Sequence, residues 1–202
     1  MNPPSDRIIL PERGLTLLPP WPQAIVFADK RLENRGASVA GHIGTWRGMV
    51  ALSQSKVWHW QTTPRVRSDD SALYNVVKLK TAGLITDNAQ GFSFAEISIW
   101  SGKLVAVAEL LDVLPADRCE GDPWHVPGQH GLILGQVWEI EPIPIIGGRG
   151  CWFAGQCPQC DTLQARDRID GTCRRCGVRP GGGRAGFDWR RPELKIVREC
   201  KL

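Results

Sequence analysis

The chain has 202 residues, 42% of them hydrophobic, and a formal net charge of +4. It is long enough for one well-cored domain of about 150 residues plus a small appendage, and it reads as an ordinary soluble globular protein. The opening MNPPSDRIIL has no apolar signal-peptide core, and the most apolar run, LVAVAELLDVL from Leu104, is broken by Glu109 and Asp112 well short of the roughly 20 residues that span a bilayer, so a cytoplasmic protein without membrane segments is expected.

In chain order, WPQAIVFADKRLENR places Trp21, Ile25 and Leu32 at helical spacings, with Pro22 where a first turn tolerates proline; the pattern predicts a helix from about 21 to 31. GASVAGHIGTW has no clear period and reads as a Gly-rich loop, and RGMVALSQSKVWHW from Arg47 reads as a core strand. QTTPRVRSDDS (61 to 71) is polar and turn-rich, and ALYNVVKLKTAGL predicts a short helix stopped at Gly83. KLVAVAELLDVL (103 to 114) and GLILGQVWEIEPIPI (131 to 145) predict two buried strands, the second leaving through alternating prolines as an edge or an extended exit. Several strands with one or two helices suggest a small β-barrel. Composition changes after Trp152, which places a domain boundary near residue 155; RPGGGRAG (179 to 186) is a flexible link, and a short strand-like piece falls at Leu194 to Val197.

Seven cysteines, an odd number without an export signal before them, argue against a secreted disulfide scaffold. Four fall in two Cys-x-x-Cys pairs within CPQCDTLQARDRIDGTCRRC: Cys157 and Cys160, then Cys173 and Cys176. Two such turns supply the four thiolates of a tetrahedral Zn2+ site, with Pro158 shaping the first turn and Gly177 following the second where a positive φ is needed. All four ligands come from the protein, so the expected zinc is a single structural ion, and its binding supplies the free energy that so short a segment cannot gain by burial. Cys119, Cys151 and Cys200 read as inert thiols.

Charge is unevenly distributed. Residues 1 to 156 carry 14 Lys/Arg against 15 Asp/Glu, whereas residues 157 to 202 carry 11 against 6. The zinc frame would display Arg166, Arg168, Arg174 and Arg175 toward a polyanion, most often a nucleic-acid backbone. His42, His59, His125 and His130 show no ligand spacing, and no nucleophile motif such as Gly-x-Ser-x-Gly is present.

ADKRLENR groups Lys30, Glu33 and Arg35 where the first helix ends. On a helix, positions 30 and 33 share a face, and spacing alone suggests a surface ion pair of small energetic consequence. The segment also resembles the start of an ASCH domain, whose pattern is Gly-x-Lys-x-x-Glu-x-Arg after a Pro-Trp helix; Ala28 stands in the glycine position, and Lys30, Glu33 and Arg35 match. TWRGMVALSQSK resembles the family's aromatic-Arg-Gly strand, with Ser53 replacing a histidine; KLVAVAELLDV resembles its central strand and IEPIPIIGGRGCW its closing strand. The likeness covers about residues 14 to 153, with an insertion around 61 to 100.

The resemblance implies a PUA-like small β-barrel with flanking helices over residues 1–155, an α+β, mainly β fold; the Cys spacing and the composition add a four-Cys zinc ribbon at 156–178 and a Gly/Arg-rich link and basic tail at 179–202. It implies a cleft beside the first helix lined by Lys30, Glu33, Arg35 and Arg47; on physical grounds Trp21 or Trp46 could stack there on a nucleobase. The expected function is nucleic-acid binding, RNA first, with the cleft taking a base or strand end and the ribbon gripping phosphates. One alternative is a hydrolase acting on a modified nucleoside or RNA (an amidohydrolase or ribonuclease), with Lys30 and Glu33 as the catalytic pair. In the amidohydrolase-like members of the family a Thr takes the position of Glu33. A further alternative is a protein–protein adaptor docking through the ribbon.

Overall fold

The two Val/Leu-rich runs predicted as strands form the longest strands among the described residues. A computed structural model describes residues 6–56, 72–148, 150–166, 173–177 and 189–200. Its elements are β1 (Arg7–Ile9), β2 (Arg13–Leu17), α1 (Trp21–Phe27), β3 (Leu32–Arg35), α2 (Ala37–Ile43), β4 (Gly48–Gln54), α3 (Ala72–Thr81), α4 (Phe94–Ile99), β5 (Lys103–Leu114), β6 (His130–Pro144), β7 (Cys151–Gln156), β8 (Leu163–Arg166) and β9 (Glu193–Cys200). The expected turn-rich segment 61 to 71 and the link 179 to 186 lie outside the described residues, as does Arg168.

The strands pair in the order β1-β9-β6-β5-β4-β2-β7-β8. One edge of β6 carries β5, and the other is shared end to end by β3, over 130 to 133, and β9, over 137 to 140. β6 is therefore a central strand, and its residues Leu132, Leu134, Val137 and Ile140 are all buried. Strands β2 and β4 run parallel, which requires the long crossover supplied by α1, β3 and α2.

The expected barrel is corrected to an open sheet. The two ends of the path, β1 and β8, are short and do not pair with one another. A single bridge between Gln156 and Arg190, with backbone hydrogen bonds of 2.9 and 3.1 Å in the two directions, links the end of β7 to the residues before β9. The residue-155 boundary falls inside β7, and the tail returns as β9 between β1 and β6.

Each sheet face has its own core. On one, Leu15, Val50, Leu52, Leu110 and Leu132 pack under Ile25 and Val26 of α1 and Ile43 of α2. The other gathers Leu10, Ala51, Val107, Ile140, Trp152, Leu163 and Leu194 without any helical residue. There Trp152 lies flat on Gly14: a Cβ at residue 14 would stand 2.4 Å from the indole, while its Nε1 donates to Thr16 Oγ1 at 3.0 Å. A third cluster joins Ala24 to α3 and α4 through Val76, Leu79 and Ile97.

The helices differ from expectation in three places. α1 ends at Phe27 rather than near 31, since Asp29 adopts a left-handed φ of 55° and Lys30 N–H returns to Ala24 O at 3.0 Å. The Gly-rich segment expected as a loop contains α2, whose buried Ala40 and Ile43 supply the packing that its small residues do not advertise. α4 falls in the presumed insertion; Ser93 and Glu96 close it with a capping box. No helix among the described residues is long and apolar enough to cross a membrane.

Candidate functional site

The turn after α1 determines the geometry around Lys30. Because Asp29 reverses the chain, Lys30 and Glu33 do not share a helix face; Glu33 is the second residue of β3, opposite Leu132. Lys30 Nζ still reaches Glu33 Oε2 at 2.8 Å and also donates to Leu32 O. On the same strand face, Arg35 Nη2 lies 3.2 Å from Glu33 Oε1 and donates to Thr16 O at 3.0 Å. The expected surface ion pair is thus buried: the Lys30 and Glu33 side chains are 1% and 7% exposed. Burial pushes the Lys30 ammonium below its ordinary value, with Glu33 opposing that shift.

Trp21, at the start of α1, holds its ring 5.9 Å from Lys30 Nζ. Over β3, Asn34 clamps the loop before β6: Nδ2 donates to Trp124 O at 2.7 Å and Oδ1 accepts from Val126 N at 2.8 Å. This brings half-buried Asp122, which bonds Trp124 N at 2.7 Å, near enough to act on the Lys30 charge. Sequence reasoning misses Thr16, Asn34 and Asp122 because no local pattern announces contacts across such separations.

The other two cleft residues lie in different surroundings. Arg47 pairs with Asp112 of β5 at 2.6 Å and donates to Gly44 O and Trp46 O. None of these contacts joins it to Lys30, Glu33 or Arg35. Trp46 packs at the margin of the α1-side core and faces the Arg13 guanidinium, 4.8 Å from its ring centre.

The second cluster is the cysteine set. The four sulfurs of Cys157, Cys160, Cys173 and Cys176 all lie within 4.8 Å of one another. Cys157 to Cys176 is 3.7 Å and Cys160 to Cys173 is 3.6 Å. The two turns repeat one design: Asp161 N–H donates to Cys157 O and Gly177 N–H to Cys173 O, each at 2.9 Å, with φ values of 54° and 72°. Gly177 meets its expected positive φ, whereas the first turn places an aspartate there.

Surrounding groups prepare the thiols. Burial alone would raise Cys173, but the N–H groups of Cys176 and Arg175, together with the Cys176 and Cys157 thiols, outweigh it and bring the thiol down to about 6. The hydroxyl and N–H of Thr162 lower Cys160. Fully buried Gln164 accepts from Arg174 N–H at 3.0 Å, tying the second turn to β8. The arrangement is compatible with one metal ion held by four thiolates.

Among the predicted phosphate contacts, Arg174 and Arg175 are exposed beside the second turn, where Arg174 Nη1 reaches Gly147 O at 3.3 Å and Arg175 Nη1 reaches Thr162 Oγ1 at 3.2 Å. Arg166 stands opposite Phe153 in the β7–β8 register. None of the seven cysteines forms a disulfide, and Cys119 and Cys200 are buried.

Fold and site together define a mainly β protein carrying a four-cysteine cluster that could hold a metal. No family model matches the chain, and no curated protein matches it.

Proposed function

We propose that the chain is an ASCH-like, PUA-like nucleic-acid-binding protein, that single-stranded RNA is its ligand, and that Cys157, Cys160, Cys173 and Cys176 hold one structural Zn2+. One observation carries the binding reading: two cations, buried Lys30 and part-buried Arg35, share the buried carboxylate of Glu33. An electron-rich group, a phosphate or a base carbonyl, offsets the excess charge, and Trp21 lies alongside for stacking. Exposed Arg174 and Arg175 support backbone contacts from the cysteine module. Zinc is supported by the sulfur spacing, because four thiolates about 2.3 Å from a tetrahedral ion lie about 3.8 Å apart. A cytoplasmic, reducing setting suits the open thiols.

Fluorescence anisotropy with labelled single-stranded RNA and DNA tests the reading. Affinity should fall steeply between about 50 and 200 mM salt, and RNA should bind more tightly than DNA. Absence of binding at low salt, or affinity indifferent to salt, would overturn it.

A hydrolase with Lys30 and Glu33 as the reactive pair is the second reading, favoured by the depressed Lys30 pKa, since a lysine nearer neutrality transfers protons more readily. Turnover of a nucleoside and RNA panel that disappears in Lys30→Ala would support it. No turnover by the parent protein would dismiss it.

A further inference from the structure

Arg13 opens β2 and is half-buried, with Val50 beside it on β4 and Phe153 opposite it on β7. Its guanidinium stands between two rings, 4.8 Å from the centre of Trp46 and 5.4 Å from that of Phe153. Other arginines in or beside the sheet are neutralised by carboxylates: Arg35 by Glu33, Arg47 by Asp112, Arg198 by Glu139, Arg7 by Glu193. Arg13 has neither a carboxylate partner nor a side-chain hydrogen bond among the described residues.

An unpaired surface arginine ordinarily sweeps through many rotamers, and fixing it costs conformational entropy when a ligand binds. Here the rings hold the guanidinium plane before any ligand arrives, and cation–π attraction supplies the restraint. What is left open is a planar fork of N–H donors, a shape suited to two oxygens of one phosphate.

The surroundings extend the feature into a track. Backbone register sets Arg13, Phe153 and Arg166 in one row across β2, β7 and β8, with neighbouring strands about 4.8 Å apart. Strand β8 leads to the cysteine turns through Gln164, whose side chain holds Arg174 N–H. Cationic positions therefore run from the α2 side of the sheet toward the exposed arginines beside the cysteines. Such a line fits a strand of phosphates better than one isolated anion.

We propose that Arg13, held between Trp46 and Phe153, is a phosphodiester-binding position for single-stranded RNA, at the head of a track continuing over β7 and β8 to the cysteine module. This rests on the RNA-binding reading above and adds a contact surface separate from the Lys30 site.

The test measures RNA affinity and salt dependence for the parent protein, Arg13→Met, Arg13→Lys and Lys30→Met, each checked for folding by thermal unfolding. Arg13→Met retains an apolar stem between the rings and should weaken binding about tenfold while lowering the salt slope by about one unit. Arg13→Lys should keep the salt slope and lose part of the affinity, because an ammonium lacks the fork. Ultraviolet crosslinking of RNA to the unmodified protein should mark peptides containing Trp46 or Phe153, which keeps the test decisive if a variant fails to fold.

If the parent binds RNA and Lys30→Met weakens it, but Arg13→Met binds with unchanged affinity and slope, the Arg13 track is wrong and the RNA reading survives. Crosslinks confined to other peptides would also defeat the track. Displacement of RNA from the parent, but not from Arg13→Met, by equimolar inorganic phosphate would reduce the feature to an isolated anion site and overturn the strand proposal. Failure of the parent to bind RNA removes both.

Discussion

Lys30 and Glu33 form a 2.8 Å ion pair in which neither side chain is more than 7% exposed. Arg35 shares the same carboxylate at 3.2 Å, so removing different members of the group has unequal consequences. Glu33→Gln leaves buried Lys30 and part-buried Arg35 without their counter-charge and should destabilise the protein by about 3–5 kcal/mol. Lys30→Met leaves Glu33 its Arg35 partner and should cost no more than about 2 kcal/mol. Denaturant unfolding of the two variants checks the order; equal losses would mean that Arg35 does not compensate Glu33.

The buried lysine also predicts a pH dependence. Its folded-state pKa lies below the ordinary 10.5, so the unfolded chain holds the proton more tightly in the window between the two values. Stability should therefore rise with pH through that window and level off above 10.5, where both states are neutral at this residue. The stability of the parent minus that of Lys30→Met, followed by denaturant midpoints into the alkaline range, should increase with pH. A flat difference would show that burial does not control the lysine.

Metal removal should act locally. Cys157 N–H bonds Thr162 O at 2.9 Å, and Gln164 holds Arg174 N–H, so the cysteine turns and β8 support one another. A chelator should release one equivalent of zinc and abolish amide-exchange protection at Cys157, Asp161 and Gly177, while β5 and β6 stay protected. Loss of protection throughout β5 and β6 would make the metal a global requirement.

Two glycines separate steric from conformational effects. Gly14→Ala drives a methyl into the Trp152 ring and should cost about 1–3 kcal/mol, with a changed tryptophan environment in near-ultraviolet circular dichroism. At Gly177 a Cβ meets nothing within 4 Å, yet φ is 72°, so Gly177→Ala should cost about 1–2 kcal/mol with no change in that spectrum.

Strands were legible wherever burial on both faces produced an unbroken apolar run: β5 matches its expected span of 103 to 114, and β6 is displaced by one residue. Their neighbours were not legible, because the joint use of one β6 edge by β3 and β9 depends on contacts distant in sequence. The Cys spacing revealed the sulfur cluster, since two short turns determine it locally. The Lys30–Glu33 contact was also foreseen, but by the wrong construction: a helix face instead of a turn into a strand. Its burial was invisible, since Leu132 and the 122–126 loop belong to a different part of the chain. Ser93 and Glu96 did carry a readable capping signature for α4, and Phe94 and Ile99, both exposed, weakened the apolar stripe that would have drawn notice to it.

The place of β9 has a consequence for how the protein is made. A chain growing on the ribosome can assemble β2, β4, β5 and β6 well before residues 193 to 200 exist, leaving β6 with a bare edge at 137 to 140 and β1 with no neighbour. That edge includes buried Val137 and Ile140, the combination through which nascent sheets join one another. Until the last strand arrives, the growing chain is exposed to association with other copies, and a shielding chaperone has its greatest effect in that interval.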